Sequence, residues 1–175
     1  MLFRSPLSMK ETGYNVGPAQ QERIMQVHFN LEDGTLVNSH VQVPPTGNTV
    51  YGGTHGLFSS TEDFLKFCQM ILNKGSVNGH SILKKETVEL MIRNHVGELI
   101  GPGRGFGLGF GVLYDTDKDP SPASTGQVYW GGYFKTHFFI DPKEDLIGII
   151  MTQKIPNTDE YIIELNRAVY SALSL

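Results

Sequence analysis

Residues 105–114 read Gly-Phe-Gly-Leu-Gly-Phe-Gly-Val-Leu-Tyr, and this alternation limits the possible folds more than any other feature of the chain. A period of two residues is typical of a β-strand, because successive side chains point to opposite faces. One face is glycine, and the other carries the apolar side chains of Phe106, Leu108, Phe110 and Val112. Glycine weakens a strand unless something packs where its side chain would be. The pattern therefore predicts one strand over residues 105–114, with a neighbouring backbone or helix close to its glycine face.

Two further apolar segments predict more strands. Residues 127–141 predict a second strand that ends before Pro142. Residues 146–153 are nearly all apolar, which is typical of a central strand covered on both faces. The four-residue link at 142–145 suits a hairpin turn, so these two strands are expected to be antiparallel. A shorter hairpin is predicted around Glu32-Asp33-Gly34.

Apolar residues at helical spacing predict three helices, at residues 59–75, 85–94 and 159–173. The first has the clearest signals at its ends. Ser60 is the expected N-cap, Asp63 stands where a capping box usually has Glu, and Gly75 is the expected stop. Together these elements predict an α+β fold, an antiparallel sheet flanked by helices. A single domain is expected over residues 1–175.

Composition excludes several classes of protein. The chain has 175 residues with 14 Lys and Arg against 18 Asp and Glu, and its net charge of −4 argues against a nucleic-acid partner. Its one cysteine, Cys68, excludes a disulfide framework and a multi-cysteine zinc site. No apolar run approaches the ~20 residues that cross a bilayer. Residues 1–10 lack the apolar stretch of a signal peptide, so the sequence leaves the compartment open.

Common metal and cofactor motifs are also missing. The six histidines form no HExxH or other closely spaced ligand pair, and we expect no metal site. Despite 20 glycines there is neither GxGxxG nor a Walker motif, so no nucleotide cofactor is expected. A G-x-S-x-G nucleophile elbow is absent too.

Ser81-Ile82-Leu83-Lys84 matches S-x-x-K, the serine and lysine of penicillin-binding enzymes. That chemistry needs one helical turn to bring the lysine amine beside the serine hydroxyl. Here Ser81 follows the turn-like Asn78-Gly79-His80, and Lys84 precedes a helix rather than lying inside one. We interpret the pair as a chance match in an exposed turn.

Several short segments stand in an order that is found in one known family. They are PLSMKETGY at 6–14, GGTHGLFSSTEDFLKF at 52–67, TVELM at 87–91, GFGLGF at 105–110, YWGG at 129–132 with THFFIDP at 136–142, and DLIG and MTQ within 145–153. In this order they resemble the serine β-lactamase-related hydrolases, which include class C β-lactamases, esterases and D-stereospecific peptidases. The resemblance implies a β-lactamase/transpeptidase-like fold. It also implies acyl transfer from a small-molecule ester, β-lactam or D-amino-acid peptide.

The resemblance also implies what this chain lacks. In the family the S-x-x-K nucleophile and a Tyr-x-Asn element precede the first of these segments, which here begins at Pro6. We therefore expect the C-terminal part of such a hydrolase, an incomplete fold with no catalytic residue in this chain and no activity in isolation. The alternative is a non-catalytic module that pairs with another chain, or with itself, through an exposed sheet edge.

Substrate-binding residues also follow from the resemblance. Trp130-Gly131-Gly132 occupies the place of the family's third motif, a strand that forms one wall of the active site. The N–H of Tyr133 would be the second donor of an oxyanion hole, and Trp130 a flat wall for an acyl group. The bulk of Tyr133 suggests a narrowed pocket. From the residues alone, a tryptophan packed in the core, with the glycines beneath a neighbour, is the favoured interpretation, and only the resemblance reverses this preference.

Overall fold

The computed structural model describes residues 4–41, 43–119, 121–155 and 158–173. In chain order its elements are α1 Pro18–Gln21, β1 His28–Asn30, β2 Leu36–Asn38, α2 Thr61–Leu72, β3 Ser76–Val77, β4 His80–Ser81, α3 Lys85–Met91, β5 Arg104–Phe106, β6 Gly111–Leu113, a 3₁₀ turn Thr116–Lys118, β7 Val128–Gly131, β8 His137–Asp141, β9 Leu146–Ile150, β10 Lys154–Ile155 and α4 Glu160–Leu173.

A five-stranded antiparallel sheet in the order β5-β6-β7-β8-β9 forms the centre of the molecule. Helices α2 and α3 pack on one face of it, and α4 packs on the other. A smaller sheet has the order β10-β1-β2, with β1 parallel to β10 and antiparallel to β2. The predicted α+β fold, an antiparallel sheet flanked by helices, is confirmed. Among the described residues no helix is both long and apolar enough to cross a membrane.

The single strand predicted over residues 105–114 is wrong, because the chain reverses in its middle. Strands β5 and β6 form a hairpin, and the Gly107 N–H donates to the carbonyl of Phe110 at 2.8 Å. Gly109 has a φ of +102°, a conformation that side chains disfavour, and it allows the reversal. The close approach is confirmed, since a Cβ on Gly107 would lie 2.1 Å from the carbonyl oxygen of Met91 in α3.

The strand predicted over residues 127–141 is also a hairpin, made of β7 and β8. The Gly132 N–H donates to the carbonyl of Thr136 at 2.8 Å, and the Lys135 N–H donates to that of Gly132 at 3.0 Å. Lys135 has a φ of +65°, so residues 133–135 form a three-residue loop of the turn-plus-bulge kind. Tyr133 therefore stands at the tip of a hairpin and not within a continuous strand.

Strand β9 forms the outer edge of the five-stranded sheet, so its predicted central position is wrong. The predicted hairpin with β8 is confirmed. An apolar run suggested a central strand because both faces of β9 are covered: Ile147 and Ile149 pack on the α2 side, and Leu146 packs on the α4 side. Coverage of the faces does not require a strand on each side.

At the start of α2 the predicted N-cap is confirmed, but the predicted capping box is wrong. The Ser60 hydroxyl accepts the Asp63 N–H at 3.2 Å, as an N-cap should. The Asp63 carboxylate does not complete a capping box. It is 2% exposed and accepts the Glu11 N–H at 2.7 Å and the Thr12 hydroxyl at 3.0 Å. Asp63 has a shorter side chain than the Glu of a usual capping box, and its hydrogen bonds connect the N-terminal segment to the start of α2.

Each face of the sheet has its own core. On the α2 side the larger cluster is made of buried apolar side chains that include Cys68, Met70, Val88, Val128 and Ile140. Cys68 is fully buried, and this burial raises the pKa of its thiol to about 12. On the α4 side a smaller cluster contains Leu113, Ala123, Phe139 and Tyr170.

Candidate active site

The segment predicted to form the active-site wall, Trp130-Gly131-Gly132, lies at the end of β7, beyond the last residue that pairs with β6. Trp130 is 47% exposed and meets Phe106 edge-to-face, with ring centroids 4.8 Å apart. It is therefore a surface residue of the sheet, not a fully buried core tryptophan. A Cβ on Gly132 would lie 2.4 Å from the Thr136 hydroxyl oxygen, so this position has no room for a side chain. Tyr133 is 74% exposed at the hairpin tip.

The backbone of this segment has a free edge. Pairing between β6 and β7 stops at Gly111 and Tyr129, so beyond Tyr129 the described structure has no strand on that side. The Gly132 N–H points toward β8, where it bonds Thr136. Because amides alternate in an antiparallel ladder, the Gly131 N–H points to the open side. The N–H of Tyr133 has no acceptor among the described residues. A ligand could therefore lie along this edge and accept hydrogen bonds from the backbone.

A cavity of about 560 Å³ adjoins the wall on the α4 side of the sheet. Its lining includes Trp130, Gly131 and Gly132 of the predicted site, which are consecutive in the sequence. Apolar surface comes from Tyr129 and, on α4, from Ile162 and Ile163, among others. Tyr133 does not line this cavity.

The chain that follows β9 contacts the tip of the β7–β8 hairpin through hydrogen bonds and one ion pair. The Thr152 hydroxyl lies 2.6 Å from the carbonyl oxygen of Lys135 and 3.2 Å from that of Phe134. The Lys154 N–H donates to the same Phe134 carbonyl at 3.1 Å. An ion pair between Lys135 and Asp159 adds a link to the start of α4. We call these contacts the tip clamp. Sequence analysis missed Thr152, since a threonine at the end of an apolar run carries no local signal of this role.

Both cations that line the cavity are already paired with carboxylates. The Arg104 guanidinium is paired with Asp119, a 5%-exposed carboxylate, and lies 5.7 Å from the ring centroid of Tyr129. The hydrogen bond from Arg104 holds the pKa of Asp119 below its usual value despite burial. Lys135 is paired with Asp159, and its side chain is only 13% exposed. Neither ion pair was predicted, because each joins residues far apart in the sequence.

His137 is the third basic group on the cavity wall. The pKa of its imidazole is lowered to about 4, mainly by burial; Asp159 opposes this shift and Lys135 adds to it. The imidazole is therefore neutral at pH 7.

Ser81 and Lys84 are arranged as an exposed turn would have them. Ser81 is exposed in the two-residue strand β4, and its hydroxyl donates to the carbonyl of Leu83 at 3.0 Å. Lys84 is the N-cap of α3, outside the helix. Their assignment as a chance match stays a prediction. Across the described ranges no group of three or more His, Cys, Asp or Glu is arranged to hold a metal ion.

Comparison with known proteins gives a family match over nearly the whole chain. Residues 3–170 match the family described as Beta-lactamase. Protein Rv1367c of Mycobacterium tuberculosis is 30% identical over 167 residues, which cover 87% of this chain and 41% of that protein. The D-alanyl-D-alanine-carboxypeptidase/endopeptidase AmpH of Escherichia coli is 25% identical over 157 residues, or 87% of this chain and 38% of AmpH.

Solved structures share the fold. EstCE1, described as a hydrolase with promiscuous acyltransferase activity, superposes with a TM-score of 0.80 at 22% identity, over 97% of this chain and 49% of that one. The chain thus spans less than half the length of these relatives.

Proposed function

The chain belongs to the β-lactamase family, and from this we propose that it supplies one part of a serine acyl-transfer site. In that part, the Trp130-Gly131-Gly132 strand is the wall along which substrate lies. The Tyr133 N–H is an oxyanion donor, and Trp130 is the surface for the acyl group. The fold itself is that of hydrolases and acyltransferases of this family.

The open edge of β7 carries this proposal. An oxyanion hole needs backbone N–H groups that are not used by the fold, and the Tyr133 N–H is unused among the described residues. Removing one such donor costs ~3 kcal/mol of transition-state stabilisation in a characterised protease. Glycine at 132 is required by the hairpin itself, because a side chain there would collide with Thr136. The hairpin turn places Tyr133 at the tip with its side chain largely in solvent, so its bulk does not fill the cavity.

We propose further that the isolated chain does not turn over substrate, because acyl transfer needs a nucleophile and a base within hydrogen-bond reach of the oxyanion donors. The test is hydrolysis of a chromogenic short-chain ester and a chromogenic β-lactam, together with labelling by a fluorophosphonate. No turnover and no label are expected. Ser81→Ala is the control variant. Activity or labelling that this substitution abolishes would show that Ser81 is a nucleophile and that our assignment is wrong.

The relatives and the family's name leave three candidate substrate classes for the complete enzyme. EstCE1 is described as a hydrolase with acyltransferase activity, and AmpH is named a D-alanyl-D-alanine peptidase. By analogy, an ester and a D-amino-acid peptide are both candidates for this site, as is a β-lactam from the family's name.

A second candidate function, a module that pairs with another chain, is favoured by the edge at β9. Since the ladder alternates from the Gly132–Thr136 pair, the amides of Ile147 and Ile149 point away from β8. The described structure has no strand beside them. The opposite edge, at β5, is capped, because Asn94 accepts the Phe106 N–H at 3.3 Å. Unpaired edges invite pairing with another chain.

Light scattering tests this candidate. We expect a dimer that Ile147→Pro dissociates, because proline removes the outward amide. Ile147→Ala removes the same side-chain packing and keeps the amide, so this control should stay dimeric. A monomer at all concentrations would exclude self-association through β9.

A further inference from the structure

We infer that Phe106, at the end of β5, joins Trp130 to form the surface that receives the acyl group, and that this aromatic pair favours longer apolar acyl groups over acetyl. The inference rests on the proposed function, because it assumes that the substrate carbonyl lies at the open edge of β7. It adds to the site a residue from another strand, and it gives the site a preference among esters.

Phe106 lies where the paired part of the sheet ends. In the strand register Phe106 is opposite Gly111 of β6, and Gly111 is opposite Tyr129 of β7. Trp130 is the next residue of β7, beyond the last pairing with β6. The rings of Phe106 and Trp130 meet there edge-to-face, with centroids 4.8 Å apart and planes at 79°. The aromatic pair therefore stands at the same end of the sheet as the open edge of β7.

The backbone of Phe106 is fixed by the chain that connects α3 to β5. Its N–H donates to the side-chain oxygen of Asn94 at 3.3 Å, and its carbonyl accepts the N–H of His95 at 2.8 Å. Gly105 makes this approach possible, because a Cβ there would lie 2.1 Å from the side-chain carbonyl carbon of Asn94. A ring on a backbone held in this way loses little conformational freedom when a ligand packs against it.

The loop between β5 and β6 packs against α3 rather than along the open edge of β7. The N–H of Leu108 in this loop donates to the carbonyl of Met91, the last residue of α3, at 2.8 Å. Gly107 lies against the same carbonyl, where a Cβ would be 2.1 Å from the oxygen. The described structure thus has no strand beside the outward N–H of Gly131, and an acyl chain placed there lies next to the aromatic pair.

The chemistry of the two side chains sets the preference. Trp130 is about half exposed and Phe106 is partly exposed, so both offer apolar ring surface to a ligand. Covering one methylene group completely raises affinity about fourfold. Butanoyl has two methylenes more than acetyl. If half of their area is covered by the rings, a butanoyl ester should bind about fourfold more tightly than an acetyl ester.

Methyl acetate and methyl butanoate test this on the chain as it is, because they share the ester group and differ only in the acyl chain. Trp130 is the sole tryptophan, so its indole N–H gives one assignable NMR signal that reports on the acyl surface. The backbone amide signal of Tyr133 reports separately on the ester oxygen. In titrations at millimolar concentration we expect saturable shifts of both signals and an affinity at least about fourfold higher for the butanoate. Nuclear Overhauser effects should join the terminal methyl group of the butanoate to the ring protons of Phe106.

Phe106→Ala removes the ring and should lower the preference for the butanoate to less than about twofold, with the affinity for methyl acetate nearly unchanged. Leu99→Ala is the matched control, because it removes another exposed apolar side chain from the connection between α3 and β5. This control should leave the preference at its original value. The amide spectrum of each variant shows whether the fold is kept. If Phe106→Ala does not fold, the Overhauser effects on the unmodified chain decide the matter.

The outcomes separate the inference from the proposed function. Equal affinities of the unmodified chain for the two esters, an unchanged preference in folded Phe106→Ala, or Overhauser effects to Trp130 without any to Phe106 would overturn the inference. A shift of the Tyr133 amide would then still support the proposed function. A Phe106-dependent preference with no shift of the Tyr133 amide would support the acyl surface and contradict the oxyanion donor. No shift of either signal with either ester would overturn both.

Discussion

Replacing Tyr170 by phenylalanine should destabilise the fold by about 3 kcal/mol. Tyr170 lies in α4, and its hydroxyl donates to the Asp141 carboxylate at 2.6 Å and accepts the Gln127 side-chain amide at 2.8 Å. Asp141 is fully buried and also accepts the N–H groups of Ser124 and Lys143. A hydrogen bond to a buried charge contributes ~1.5–3 kcal/mol and a neutral one ~1 kcal/mol, and phenylalanine forfeits both while keeping the ring in place.

Urea denaturation measures this loss, and a melting temperature lower by roughly 6–12 °C should accompany it in a chain of this size. Tyr133→Phe is the control, because that hydroxyl is exposed and has no partner among the described residues, so its effect should stay within about 0.5 kcal/mol. A loss below about 1 kcal/mol for Tyr170→Phe would refute the view that this hydroxyl ties α4 to the sheet.

The same residue gives a test at alkaline pH. Burial and the neighbouring Asp141 raise the pKa of Tyr170 above its usual range, so the folded state holds this proton more tightly than the unfolded chain. The free energy of unfolding should therefore be unaffected by this group below pH ~10 and should fall as the pH rises above it. Tyr170→Phe should show a smaller fall over the same interval, and an unchanged slope would contradict the assignment.

Three more perturbations test other parts of the structure. Gly107→Ala should cost more than about 2 kcal/mol in urea denaturation, because its methyl would meet the carbonyl of Met91, whereas Gly53→Ala, which has open space, should cost under about 0.5 kcal/mol. The unfolding free energy should fall by roughly 2 kcal/mol between pH 6.5 and 4, because His137 takes up a proton in this range when unfolded but stays neutral in the buried site. His137→Gln should remove part of this pH dependence. Thr152→Val should speed hydrogen exchange at the hairpin tip at least about threefold with α2 unchanged, and Thr152→Ser should restore it; equal exchange in all three chains would exclude the tip clamp.

Local signals in the sequence located most elements but not the reversals between them. Alternation at 105–114 and the long apolar run at 127–141 each continue across a turn, so each hairpin resembled one strand. Gly109 offered a weak cue for the first reversal. The second reversal, between β7 and β8, depends on a positive φ at Lys135, and a lysine does not predict that conformation.

Some parts of the candidate site could be predicted from the sequence and others could not. Trp130, Gly131 and Gly132 could be singled out because they stand together in the sequence and resemble one motif. The ion pairs that set the charge of the cavity join residues 15 and 24 positions apart, and no local pattern encodes such distances. The position of β9 depends on which strands flank it, which hydrophobicity alone does not reveal.

The lone thiol of Cys68 has a practical use. It is wholly enclosed between α2 and the sheet, and at pH 8 it is almost entirely protonated, so thiol reagents should ignore the native protein. Once α2 detaches, the same sulfur regains an ordinary acidity and reacts at one defined position. Pulsed alkylation followed by mass spectrometry would thus count, without any engineered label, how often this helix leaves the sheet and how much a ligand or partner slows that event.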